Sequence, residues 1–242
     1  CVSNATRKDL LKINIDPKKA TTIHNGLDYS FWNEKNFPKV EGLKIREKLA
    51  TKNNFVIFSW GRPGESKGFE YLIRAMPKII KQIPNAVLLL MLGSTDKYPA
   101  RTRLIKDLVD DTLKKITAKS DNKEQTNKAV RIIPSAPYET LGKYIVAGDC
   151  VVVPSIAEGF GYNAVEAATL DIPVLVSDAG SLPEVISGKH QIFQSKNVED
   201  LANKVVAIKN SKFNQTPLKK FYWERTIEEY LTTYKDVLKK TN

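Results

Sequence analysis

Cys150-Val151-Val152-Val153-Pro154-Ser155-Ile156-Ala157-Glu158-Gly159-Phe160-Gly161-Tyr162 passes from a short apolar run into a glycine-bearing turn. Asn163–Leu170 then continues with helical character. An apolar run of this length, closed by proline, reads as a strand covered on both faces. The Gly-x-Gly that follows reads as the N-terminus of a helix, where exposed amides and the helix dipole favour an anion. Strand, tight turn and helix together are half of a parallel βαβ unit.

Working outward, Phe55–Trp60, Ala86–Gly93, Val130–Pro134 and Pro173–Ser177 repeat the strand-sized apolar run. Between them, Phe69–Gln82 places Tyr71, Leu72, Ala75, Ile79 and Ile80 at helical spacing. Leu104–Thr117 does the same with Leu104, Leu108, Leu113 and Ile116, and Thr140–Ala147, Ala164–Leu170 and Val198–Lys209 follow. This alternation predicts an α/β fold, a Rossmann-like parallel sheet with helices on both faces. No internal repeat is visible. The polar stretch Ala118–Lys128 reads as a surface loop. Near the N-terminus the pattern predicts a helix around Ala5–Leu11, a turn at Asp16–Pro17, a small strand near Thr22 and a turn at Asn25–Gly26. Phe221–Lys240 predicts a terminal helix with Trp223, Ile227, Tyr230, Leu231 and Tyr234 on one side.

Composition bounds the function. Of 242 residues, 42% are hydrophobic, enough for a sizeable core. The net charge of +11 favours anionic partners, whether phosphorylated ligands, an anionic membrane surface or nucleic acid. It is equally consistent with a lysine-rich solvated surface, because the lysines are spread along the chain. A nucleic-acid-binding domain would cluster Lys and Arg with interleaved aromatics, and no such cluster is present. The two cysteines, Cys1 and Cys150, make neither a disulfide framework nor a metal motif, and fit a reducing compartment. No stretch is long and apolar enough to span a membrane. The start at Cys rather than Met reads as a fragment.

Ligands of open α/β sheets sit at the carboxyl ends of strands, which singles out three loops. Gly61-Arg62-Pro63-Gly64-Glu65-Ser66-Lys67-Gly68 follows the first strand and combines glycines with two cations suited to phosphates. It lacks the Walker A spacing, and an ordinary Gly/Pro turn with solvated charges fits it as well. In the Glu158–Gly161 loop, Glu166 lies one turn inside the following helix and can lean back toward a ligand. A structural helix cap is the alternative. Asp178-Ala179-Gly180-Ser181-Leu182-Pro183-Glu184 follows the last strand and on its own reads as a connecting loop.

The ordered set Gly-Arg…Lys-Gly, Pro-Ser…Glu-Gly-Phe-Gly…Glu-Ala and Pro-Val…Gly…Pro-Glu-Val-Ile resembles the C-terminal domain of GT-B-fold retaining glycosyltransferases of family 4. Glu158 and Glu166 stand in that family's E-x7-E relation. Ile23-His24-Asn25-Gly26-Leu27-Asp28 resembles its interdomain segment, and Phe221-Tyr222-Trp223-Glu224 the start of its returning terminal helix. The resemblance implies three parts: residues 1–24 as the tail of an acceptor domain with linker, 25–215 as the donor-binding domain, and 216–242 as the returning helix. It implies that Arg62 and Lys67 hold the donor diphosphate and that Glu158 meets the donor sugar. It implies that Phe160 and Gly161 offer backbone amides and that Glu166 takes the ribose, with Gly61 and Gly159 completing the donor-binding set. Glu158, Arg62 and Lys67 are then the catalytic group.

The same resemblance implies a nucleotide-diphospho-sugar substrate, retention of configuration, and no cofactor or metal. Asp110-Asp111 sits inside a helical pattern and forms no fitting Asp-x-Asp motif. The implied acceptor is a sugar, a lipid-linked or a small molecule, met through a domain outside this chain. The implied setting is cytoplasmic, with an anionic membrane face as a candidate partner and no nucleic acid. A non-catalytic nucleotide-sugar-binding module is the main competing reading. Two positions depart from the family pattern: Asp171 replaces a usual Gly, and Gly180-Ser181 replaces a common Gly-Gly. His24 reads as structural, and His190 is expected in a loop without a role.

Overall fold

Phe55–Gly61 is buried on both sides along all but its last residue, and this strand (β1) is the centre of the molecule. Its residues alternate between two cores, as a pleated strand requires. Val56, Phe58 and Trp60 pack on one face of the sheet, while Phe55 and Ile57 pack on the other. In the computed structural model, which describes residues 1–49, 51–120 and 122–241, six further strands extend the sheet. They are β2 (Ala86–Leu92), β3 (Val130–Pro134), β4 (Cys150–Val153), β5 (Val174–Ser177), β6 (Gly188–Phe193) and β7 (Asn214–Thr216). The order is β3-β2-β1-β4-β5-β6-β7, parallel throughout except for the antiparallel edge pair β6–β7.

The helices are α1 (Asn4–Lys12), α2 (Lys39–Lys48), α3 (Phe69–Gln82), α4 (Pro99–Thr117), α5 (Lys123–Thr126), α6 (Tyr138–Ile145), α7 (Tyr162–Thr169), α8 (Leu182–Val185), α9 (Val198–Lys209) and α10 (Trp223–Thr241). Leu72 and Met76 of α3, Ile105 of α4 and Leu201 of α9 bury one face of the sheet. Ile145 of α6, Ala164 of α7 and Leu182 of α8 bury the other, together with Leu27, Trp32 and Phe37. The chain winds outward from β1 through β2 to β3, then returns to place β4 on the other side of β1. That reversal is the topological switch point, where ligands of such sheets bind.

The α/β expectation and the five strands read from the sequence are present, and α3 and α9 span the residues expected of them. Several local expectations are corrected. Thr22 lies outside any strand, and the order at the hinge comes instead from an isolated parallel bridge between Leu27 and Tyr222. Asn25–Gly26 is not a turn. A Cβ at Gly26 would meet the Trp223 backbone at 2.5 Å, and the turn falls later, where Asp28 accepts the Ser30 amide at 2.8 Å. The stretch Ala118–Lys128 contains α5. His190 lies buried in β6, with its Nδ1 donating to the Gly188 carbonyl at 3.1 Å, and not in a loop. Asp171 adopts the left-handed region (φ 58°), a conformation Asp tolerates, and pairs with Lys189 at 2.6 Å.

Candidate functional site

The loops leaving β1 and β4 meet directly across the switch point. The Ile156 amide donates to the Ser66 carbonyl at 2.8 Å, and Asn163 Nδ2 donates to the Trp60 carbonyl at 2.8 Å. Gly68 sits in the left-handed region (φ 61°), where a side chain would collide with the Pro154 carbonyl. Only glycine lets the first loop close this tightly on the second.

This contact brings together two of the residues singled out from the sequence. Lys67 Nζ and Glu158 Oε2 are 2.8 Å apart, with side chains only 18% and 15% exposed. Glu158 Oε2 also accepts the Ser155 hydroxyl at 3.1 Å. Among the described residues no protein group donates to Oε1. Arg62 is exposed at the rim, its Nη1 donating to the Tyr98 hydroxyl at a long 3.4 Å. It is therefore the less constrained cation of the two.

Beyond Glu158 the chain turns into α7 through Gly161, a left-handed N-cap (φ 97°) with no capping side chain. Among the described residues, the amides of Gly159, Phe160 and Gly161 meet no protein acceptor. Phe160 itself points inward, 3% exposed, against Tyr162 and Phe221 at ring separations of 5.1 and 5.2 Å. Its side chain anchors the loop, so its contribution to a ligand is its amide. Unpaired amides at a helix N-terminus form an anion site.

Glu166, one turn further, is 6% exposed. Among the described residues no hydrogen bond or ion pair reaches its carboxyl, and burial pushes its pKa up to about 7. A buried acidic group without a partner, at the switch point of the sheet, is a functional candidate rather than a structural one.

The third loop supports the second. The Gly180 backbone lies flat on Glu158 (φ 56°), where a Cβ would collide with the Glu158 carbonyl. The Ser181 amide and hydroxyl both donate to that carbonyl at 3.2 Å. Ser177 Oγ donates to the Ser155 carbonyl. Glu184, three residues after Ser181, accepts the Asn4 and Ala5 amides at 2.9 and 3.1 Å and meets His24 Nε2 at 2.5 Å. Burial opposes ionisation of Glu184, and these bonds outweigh it, holding its carboxyl below the ordinary value. His24 thus fastens the segment before β1 to the third loop.

Sequence reasoning singled out Arg62, Lys67, Glu158, Glu166, Gly61, Gly159 and the Phe160–Gly161 amides. It passed over Ser155, Ser177 and Asn163 and noted Ser181 only as a departure from the family pattern; the four hold the strand-end loops together. No group of three or more His, Cys, Asp or Glu side chains suited to a metal stands together among the described residues, and no described helix is long and apolar enough to cross a membrane.

Residues 42–220 match the family model described as "Glycosyl transferases group 1". Uncharacterized glycosyltransferase MJ1607 of Methanocaldococcus jannaschii is 30% identical over 257 residues, covering 97% of this chain and 58% of that protein. The glycosyltransferase from Rickettsia africae ESF-5 superposes with a TM-score of 0.79 at 21% identity, covering 98% of this chain and 62% of that one. Anabaena Alr3699/HepE in complex with UDP and glucose gives the same TM-score of 0.79 at 18% identity, with 98% and 62% coverage. The chain therefore spans under two-thirds of the length of each of these proteins. Since the matched residues 42–220 take in every strand and all three switch-point loops, this chain belongs to the glycosyl transferases group 1 family, with a fold of the GT-B type.

Proposed function

We propose that this chain is the donor-binding part of a retaining glycosyltransferase of family 4, gripping a nucleotide-diphospho-sugar. Residues 25–215 form the donor domain, residues 1–24 lead in from an acceptor domain, and 216–242 return toward it. The observation that carries the reading is the meeting of Lys67 and Glu158 at 2.8 Å beside the unpaired amides of Gly159–Gly161, at the switch point of the sheet. A cation, a carboxylate and a helix N-terminus so placed suit a ligand that joins an anion to a polyol. A donor holds both, as diphosphate and sugar. The Anabaena protein, whose structure contains UDP and glucose on a similar fold, supports the ligand class.

Transfer requires the anomeric carbon–oxygen bond to break while negative charge grows on the departing diphosphate. Arg62, Lys67 and the N-terminus of α7 meet that charge. Glu158 accepts a hydroxyl of the sugar through Oε1, and Glu166 accepts the ribose. Because side chains neutralise the diphosphate in this reading, transfer proceeds without a metal and survives a chelator. The acceptor is bound by a domain outside these residues. A thermal-shift panel of UDP-, GDP- and ADP-sugars tests the donor reading. At least one should raise the unfolding temperature of this chain, and Lys67→Ala should reduce that rise. Absence of stabilisation by every member would overturn it.

A further inference from the structure

The third loop carries Gly180-Ser181. The Ser181 hydroxyl is not idle. Ser181 is fully buried, and its Oγ donates to the Glu158 carbonyl at 3.2 Å, alongside its own amide at the same distance. The neighbouring Gly180 lies close enough to the Glu158 backbone to exclude any side chain. From the other side, Ser155 Oγ and Lys67 Nζ both donate to Oε2 of the same glutamate. Ser155 is in turn held by Ser177, and both are fully buried. Glu158 is thus fixed at its carbonyl and at one carboxyl oxygen, which leaves Oε1 as the oxygen without a protein donor among the described residues.

We infer that Ser181 is a positioning residue for Glu158: its hydroxyl sets the backbone from which the carboxylate presents Oε1 to the donor sugar. This rests on the donor-binding reading above. A hydroxyl bonded to that carbonyl restrains the peptide unit, and the carboxylate, three side-chain torsions away and held at Oε2 by Lys67 and Ser155, inherits the restraint. The effect should appear where Oε1 acts, on the sugar, and not where the diphosphate is held.

The test is calorimetry on this chain with UDP and UDP-glucose, or with the GDP or ADP pair that the panel selects. The quantity read is the ratio of affinities with and without the sugar. Ser181→Ala and Ser181→Gly both remove the hydroxyl and keep the amide, and Ser181→Gly adds no bulk should Ser181→Ala misfold. Each should lower the sugar-dependent ratio by roughly three- to tenfold, the range for one neutral hydrogen bond. The nucleoside diphosphate should bind unchanged, whereas a merely structural role would weaken both ligands together. In a Glu158→Ala background the same substitution should have no further effect on the ratio, because the group it positions is gone. A Glu158→Ala variant that keeps its full sugar-dependent gain overturns the site reading and this inference with it. A Glu158→Ala variant that loses the gain while both Ser181 variants keep it overturns the inference alone, as does an unchanged effect of Ser181 in the Glu158→Ala background.

Discussion

Glu166→Gln should make the ligand-free chain more stable and the donor bind less well. Glu166 is 6% exposed, has no partner among the described residues, and burial has raised its pKa from an ordinary 4.5 to about 7. Between those two values the folded chain holds a proton that the unfolded chain has released. Stability from this group therefore falls as pH rises across the window and is flat above it. At roughly 1.36 kcal/mol per pH unit, the full window corresponds to about 3 kcal/mol, an upper figure because a buried carboxylate draws in water and rearranges. Glutamine is nearly isosteric and does not titrate. The advantage of Glu166→Gln over the parent should thus grow from pH 5 to pH 8, by up to about 6–12 °C in unfolding temperature for a chain of this size. Circular dichroism melts of both proteins across that range measure the difference, and other titrating groups cancel because both share them. Binding should move the opposite way. A sugar nucleotide, which has no phosphate group titrating near neutrality, should gain affinity for the parent as pH rises through 7 and show no such gain with the variant. Parallel pH–stability curves for the two proteins would refute the reasoning, because they would mean that Glu166 is charged or partnered in the folded state.

The diphosphate grip predicts that Arg62→Ala and Lys67→Ala each weaken nucleoside diphosphate binding by roughly 10- to 100-fold, from lost charge-assisted bonds, while the free nucleoside is unaffected; unchanged calorimetric affinity in both variants would exclude the assignment. Glu158→Gln frees Lys67 and so should not weaken the bare nucleoside diphosphate, but it should reduce the extra affinity contributed by the sugar, whereas Glu166→Gln should weaken the nucleoside diphosphate itself. Equal losses for both ligands in both variants would show that the two carboxylates do not divide the work. Gly180→Ala should destabilise the chain by roughly 1–3 kcal/mol and reduce the sugar-dependent affinity, since a side chain there drives the third loop off Glu158; a denaturant melt that matches the parent would contradict that contact.

The sheet was legible because its central strands carry their own signal. Phe55–Trp60 and Ala86–Leu92 are apolar at every position but Ser59, which only a doubly covered strand tolerates. The elements that escaped notice lack that signal for physical reasons. In α2 only Gly42 is buried, so no apolar stripe exists to read. In β7 all three residues are exposed and polar, and the edge strand is defined by pairing with β6 alone. At the site, charged residues in glycine-rich loops stand out in a sequence, and Arg62, Lys67, Glu158 and Glu166 did. Ser155 and Ser177 did not, and Ser181 did only as a departure from the family pattern, because a serine in a turn reads the same whether its hydroxyl faces water or a neighbouring strand end. Their bonds join loops after β4 and β5 and become visible only once those strands are side by side.

The Lys67–Glu158 pair alters how the charge of the site should be understood. With both side chains mostly buried, each neutralises the other before any donor arrives. The field a diphosphate meets on approach therefore comes from exposed Arg62 and from the unpaired amides of Gly159–Gly161, not from Lys67. A diphosphate that takes Lys67 must draw it at least partly from Glu158, and a partly buried carboxylate losing its cation is costly unless another donor replaces it. On the donor-binding reading proposed above, the sugar hydroxyls are that replacement. Diphosphate and sugar recognition should then be coupled through one ion pair: the sugar should bind best once the phosphates have engaged Lys67, and a nucleoside diphosphate without its sugar should leave Glu158 underserved. The coupling also separates the two cations. Removing Arg62 takes away charge that attracts the ligand, whereas removing Lys67 also strips Glu158 of its partner, so the two substitutions should differ in their effect on the ligand-free chain even where they weaken binding alike.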